Sequence, residues 1–205
     1  NDVDAEEMTQ FFTNYASYLD IEKPGLLANL NYFISYQVVH MYIRYFMWNF
    51  SGRQNDNQWK FDIENGNWIS GINFIDESRL GSQDNLPKDV LNNKARNKYY
   101  MIPLILGILG FVLLFRNDFK TFWPLFLLFI FTGIALKFYL NERVFEPRER
   151  DYALVGSFYA FSIFIGFSFI YIYNYLKKFF ETKIASTSTM IITLLSPLLL
   201  AFNNW

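Results

Sequence analysis

Four apolar segments between residues 101 and 205, joined by links of only a few residues, constrain the fold of this chain more than anything else in it. They are MIPLILGILGFVLLF (101–115), TFWPLFLLFIFTGIALKFYL (121–140), YALVGSFYAFSIFIGFSFIYIYNYL (152–176) and MIITLLSPLLLAF (190–202). A helix needs about 20 apolar residues to cross a bilayer. The second and third segments meet that length. The first is short unless Tyr99 and Tyr100 join it, and the fourth needs Ser186–Thr189. Backbone inside lipid must satisfy its own hydrogen bonds, so segments of this kind fold as helices. Trp123, Tyr139, Tyr152 and Tyr175 stand at segment ends, where an aromatic belt belongs. Gly107, Gly110, Gly133, Gly156 and Gly166 suit close helix contact. A buried soluble core is the alternative, and the short links weigh against it.

Composition agrees. The chain is 52% hydrophobic and 21% aromatic, and its 18% charged residues fall below the roughly 25% usual in soluble domains. A net charge of −1 without a basic tail gives no footing for nucleic acid. The absence of cysteine excludes disulfides, thiol catalysis and iron–sulfur clusters, and the single histidine excludes a His-rich metal site. The acidic start NDVDAEEMTQ does not read as a signal peptide. With no initiator Met and an apolar end at Trp205, the chain is expected to be a piece of a longer protein.

The links carry the charge. In NERVFEPRERDYALVGS (141–157), Arg143, Arg148 and Arg150 alternate with Glu142, Glu146, Glu149 and Asp151. Beside a bilayer each ion must pair, reach headgroups or bind something charged, because uncompensated burial costs several kcal/mol. A self-paired structural network is the competing explanation. Exposed ion pairs contribute only about 0–1 kcal/mol each, however. The links Arg116–Lys120 and Lys177–Lys183 are basic, and the positive-inside rule places them in the cytoplasm. Residues 51–98 and 141–151 then share the extracytoplasmic face.

Ahead of the bundle (99–205), three stretches differ. Residues 1–25 read as an acidic amphipathic or interfacial segment, with Phe11, Phe12, Tyr15, Tyr18 and Leu19 on one side. Residues 26–50 are apolar but carry Gln37, His40 and Arg44 at spacings of three and four, which predicts one polar stripe on a spanning or interfacial helix. Residues 51–98, rich in Asn, Asp, Gly and Ser, read as one long irregular loop, and a loop of that length is usually functional. The expected fold is all-α: a polytopic membrane protein with four to five membrane helices and one long extracytoplasmic loop.

The strings SYQVVHMYIRYFMWNFSGRQND (35–56), GNWISGI (66–72), EPRERDYALVGSFYAF (146–161) and FNNW (202–205) together resemble a bacterial family of large multi-spanning membrane proteins of unassigned function. That family is similar to protein O-mannosyltransferases and is classed with the GT-C glycosyltransferases. The resemblance runs from about residue 26 to the end, with Ile43 where the family pattern has Trp. It implies that this chain is the central part of a bacterial inner-membrane enzyme. Such an enzyme moves a sugar from a polyprenyl phosphate to an extracytoplasmic acceptor. The first spans, and the first loop with its catalytic carboxylate, would precede residue 1.

Such chemistry needs cations on the lipid phosphate, and the planar fork of arginine donates two parallel hydrogen bonds to it. Arg148 and Arg150 are the first candidates, then Arg44 and Arg53. Asp56, Asp62 and Glu64 of the loop are candidate acid or base groups, Asp56 first because it closes GRQND, and solvated loop carboxylates are the bland alternative. Trp48, Trp68 and Asn67 are candidates for sugar or acceptor contact, and interfacial anchoring is the bland alternative for the tryptophans. No cofactor is expected. A divalent metal, as some GT-C relatives use, would need carboxylate ligands, and no ligand set is visible. Expected partners are membrane lipid and a polyprenyl-linked sugar, not nucleic acid. The rival expectation is a non-enzymatic structural subunit of a membrane complex, with 51–98 as its docking loop. A transporter half is weaker, because its intramembrane charge would be confined to His40, Arg44 and Lys137.

Overall fold

The computed structural model describes residues 5–15, 24–57, 62–84, 86–141 and 151–204. Over these the chain is mostly helical. Three helical stretches are long and apolar enough to cross a membrane: Phe119–Leu140, Tyr152–Leu176 and Thr182–Asn203. A fourth apolar helix, α6 (Ile102–Asn117), has 16 residues. At about 1.5 Å per residue it reaches about 24 Å, short of a hydrocarbon core about 30 Å thick.

The centre of the bundle is α6 against α9 (Val155–Leu176). Gly107 lies under the Phe161 ring, and Gly110 lies against the Phe164 backbone and Ser168 N. Contacts that climb together in number mean that the two helices run parallel. Both therefore start at one end of the bundle, α6 after Tyr99 and α9 after Asp151. The links after Asn117 and after Leu176 share the other end. Around this contact Phe50, Leu114, Phe122, Phe161 and Phe164 form an aromatic core, joined by Phe46, Phe111 and Phe158. Its rings meet edge-on, as in Phe50–Phe161 at 4.5 Å and Phe111–Phe122 at 4.9 Å, the arrangement the ring quadrupole favours.

Asp118 caps α7 (Phe119–Phe131): its carboxylate accepts from the Thr121 amide (3.2 Å) and hydroxyl (2.6 Å). Those bonds hold its pKa below the ordinary carboxylate value. The helix breaks at Thr132–Gly133 and resumes as α8 (Ile134–Leu140). Only a glycine fits there, because the Tyr42 and Ser157 hydroxyls, hydrogen-bonded at 2.6 Å, press on the space a Cβ would take. In α10 (Thr182–Asn204) the polar start that the fourth segment needed is helical. Its hydroxyls turn inward on the helix backbone, Thr189 to Ala185 O at 2.6 Å and Thr193 to Thr189 O at 2.8 Å. Trp123, Tyr139, Tyr152 and Tyr175 are all exposed on the bundle surface.

Residues 26–50 form one uninterrupted helix of three windings. α2 (Leu26–Tyr32) passes into a π-helical segment, Phe33–Ile43, and then into α3 (Arg44–Phe50). Of the expected polar stripe, His40 and Arg44 stay together on one groove, and Gln37, inside the wider winding, turns elsewhere. The Gln37 amide donates to Asn141 Oδ1 (2.8 Å), whereas Arg44 turns toward Gly66. α1 (Ala5–Tyr15) gathers Phe11, Phe12 and Tyr15 as ring contacts. Tyr18 and Leu19 of the expected face lie outside the described residues.

The described parts of 51–98 carry short regular elements within otherwise irregular chain. β1 (Gly52–Arg53) pairs antiparallel with β2 (Asn97–Lys98), Arg53 bridges to Trp68, and α4 (Asn73–Leu80) and α5 (Lys88–Leu91) complete the unit. With few apolar residues available, buried amides and a carboxylate satisfy the backbone instead. Asn55 Oδ1 accepts from Gly66 N at 2.7 Å and Asn57 N at 3.2 Å. The buried Asp76 carboxylate accepts from Ser70 N (2.7 Å), Ser70 Oγ (2.9 Å) and Gly71 N (2.8 Å). Asp76→Ala would strand these donors and should cost about 3 kcal/mol. Limited proteolysis checks this: new cleavage within 51–98 is expected while the membrane helices stay protected. Wild-type resistance would mean that the Asp76 bonds do not hold the unit together.

Candidate functional site: a groove between the π-helical segment and the folded loop

The π-helical segment and the 51–98 unit enclose a groove of about 310 Å3. One wall is Tyr36, His40 and Arg44; the other is Asn67, Trp68 and Arg79. A π-winding inside an α-helix is rare and concentrates at functional sites. Here it presents His40, and Arg44 at the start of α3 faces the same opening. The Tyr36 and His40 rings stack with centroids 5.7 Å apart.

Arg44 is only 5% exposed. Its Nε donates to His40 O (2.9 Å) and its Nη1 to Gly66 O (3.5 Å). Its guanidinium lies 5.0 Å from the Tyr45 ring and 5.1 Å from the Trp48 ring. Arg79 reaches the groove from α4. Its guanidinium lies on Trp68 at 3.4 Å from the ring centroid, and its Nη1 donates to Trp68 O (3.2 Å). Burial pulls the Arg79 pKa below the ordinary guanidinium value, and Asp76 pulls it back up. Asn67 is fixed by donating to Gln54 Oε1 (3.0 Å), Asp62 O (2.8 Å) and Asn65 O (3.0 Å).

A second group stands behind Arg44. Arg53 places its guanidinium 5.5 Å from the Trp48 ring and donates from Nε to Ala95 O (3.0 Å). Tyr45 and Trp48 meet edge-on at 4.9 Å. The Tyr45 hydroxyl and the Trp48 Nε1 are buried and have no hydrogen-bond partner among the described residues. Buried donors without partners are rare and need a reason.

The structure thus brings Arg44, Asn67 and Trp68 into one groove and sets Trp48 and Arg53 behind it. Asp56 is exposed and does not line the groove. Arg148 and Arg150 lie outside the described residues. Arg79 is the functional candidate that sequence reasoning missed. Nothing in the local string NFIDESRLG marks it, because its partner Trp68 is brought near by the β1 pairing and the α4 turn. No group of three or more His, Asp or Glu side chains converges as a metal site among the described residues.

Two guanidiniums and an indole face beside an apolar helix suit an anion that carries both a polar and an apolar part. Comparison with protein-family models, with curated proteins and with solved structures found no match.

Proposed function

We propose that this chain is part of an integral membrane glycosyltransferase that uses a polyprenyl-phosphate sugar donor, and that the groove holds the donor's phosphate. The observation that carries this reading is the convergence of Arg44 and Arg79 on an opening walled by Trp68 and Asn67. The guanidiniums would hold the lipid phosphate and stabilise charge as it departs, the indole would take a sugar face, and the apolar helix would guide the isoprenoid. Arg148 and Arg150, in the sequence between Asn141 and Asp151, would serve the same phosphate. The end of the bundle where α6 and α9 start is extracytoplasmic in this reading, because the opposite links are the basic ones, and the membrane is the bacterial inner membrane.

The test is binding of farnesyl phosphate to the complete protein in detergent. Arg79→Ala should weaken it about 10- to 100-fold, the range of a lost charge-assisted hydrogen bond, while membrane insertion is unchanged. Wild-type affinity in Arg79→Ala would remove the groove from donor binding. The rival reading, a structural subunit, draws on Phe74 and Ile72 of the folded loop, 85% and 39% exposed. A stoichiometric protein partner that copurifies with the wild type and is lost in Phe74→Asp would favour it.

A further inference from the structure

A second groove lies at the opposite end of the bundle, between α6, α9 and α10. It measures about 600 Å3, and its walls are apolar, with Leu109, Leu113, Ile172 and Ile192. It ends on Asn117, Asn174 and Lys178. Lys178 sits in a link where three lysines, at 177, 178 and 183, face one acid, Glu181. Lys177 Nζ leans toward the Tyr173 ring, 5.9 Å from its centroid, and Lys177, Lys178 and Lys183 are all exposed.

We propose that this groove holds an acyl chain of an anionic phospholipid, with the lipid phosphate seated on Lys178. The two halves of the site ask for one amphiphile. A free phosphate would leave the apolar walls unused, and an apolar helix from another chain would bring no anion to the lysines. Zwitterionic lipid fits the walls but brings no net charge to the link. Basic pockets between membrane helices at a positive face select anionic headgroups in this way, each cation near the surface adding about fivefold to binding. The site is separate from the Arg44–Arg79 groove and does not depend on what that groove binds.

The experiment is native mass spectrometry of the complete protein in detergent, titrated separately with phosphatidylglycerol and with phosphatidylcholine of the same chain lengths. Wild type should retain phosphatidylglycerol at least fivefold better. Lys178→Gln should bring the two lipids close together, and Lys178→Glu should reverse the order. Leu113→Trp, which fills the groove, should lower retention of both. Equal retention of the two lipids by wild type would overturn the proposal. So would a preference for phosphatidylglycerol that survives both Lys178 variants, or a dimer mass that forms at the expense of lipid.

Discussion

Gly110→Ala is expected to be the most destabilising single-methyl change in the bundle, lowering stability by about 3 kcal/mol, the upper end for overpacking. A Cβ at this position would overlap the Phe164 carbonyl oxygen and crowd Ser168 N, 3.0 Å away. Both are backbone atoms of a packed helix and cannot rotate aside. The only remedy is to push α6 and α9 apart, and that opens the contact between Leu114, Phe161 and Phe164 on which the aromatic core rests. Two other glycines act as internal controls. At Gly107 the added carbon meets the Phe161 ring rather than backbone, but that ring is packed in the core, so Gly107→Ala should cost about 2 kcal/mol. At Gly166 nothing lies within 4 Å. There alanine should be neutral or slightly stabilising, because it stiffens the helix. Thermal unfolding in detergent, followed by tryptophan fluorescence, gives the order 166, 107, 110 from least to most damaging. If Gly110→Ala and Gly166→Ala unfold together, the parallel α6–α9 contact is not where the stability of the bundle lies.

The membrane-length helices were legible because the signal for them is local: an apolar run of sufficient length with aromatic ends, as in 121–140 and 152–176. The break at Gly133 was not, since it depends on a hydroxyl pair formed by Tyr42 and Ser157, 115 positions apart. Of the polar stripe 37–40–44, His40 and Arg44 share one groove and Gln37 turns away to Asn141. The spacing was real, but the winding that gives spacing a direction changes at Phe33. The 51–98 unit reads as a loop because its interior is polar. Asn55, Gln54 and Asp76 hold it through side-chain bonds to backbone, and hydrophobic periodicity is blind to these. The site divides in the same way. Arg44, Asn67 and Trp68 were visible as residue types suited to an anionic sugar lipid, while Arg79 enters only through the three-dimensional approach of α4 to Trp68.

Arg44 tests whether the groove and the orphaned donors behind it form one site. Arg44→Ala should lower stability by about 3–4 kcal/mol. It leaves a cavity beside Tyr45 and Trp48 and takes donors from His40 O and Gly66 O. It should also reduce farnesyl phosphate binding more than 100-fold. A loss on both counts has two explanations, a destroyed site or a damaged fold, and Tyr45→Phe separates them. Its hydroxyl is buried without a partner among the described residues, so removing it should stabilise the empty protein by about 1 kcal/mol. If that hydroxyl is kept for the ligand, the same variant should bind farnesyl phosphate about tenfold more weakly. A protein that becomes more stable and binds worse has given up a recognition group, since a structural one would have moved stability the other way. If Tyr45→Phe gains stability and keeps wild-type affinity, the ligand does not reach behind Arg44, and the site ends at the groove formed with Trp68 and Arg79.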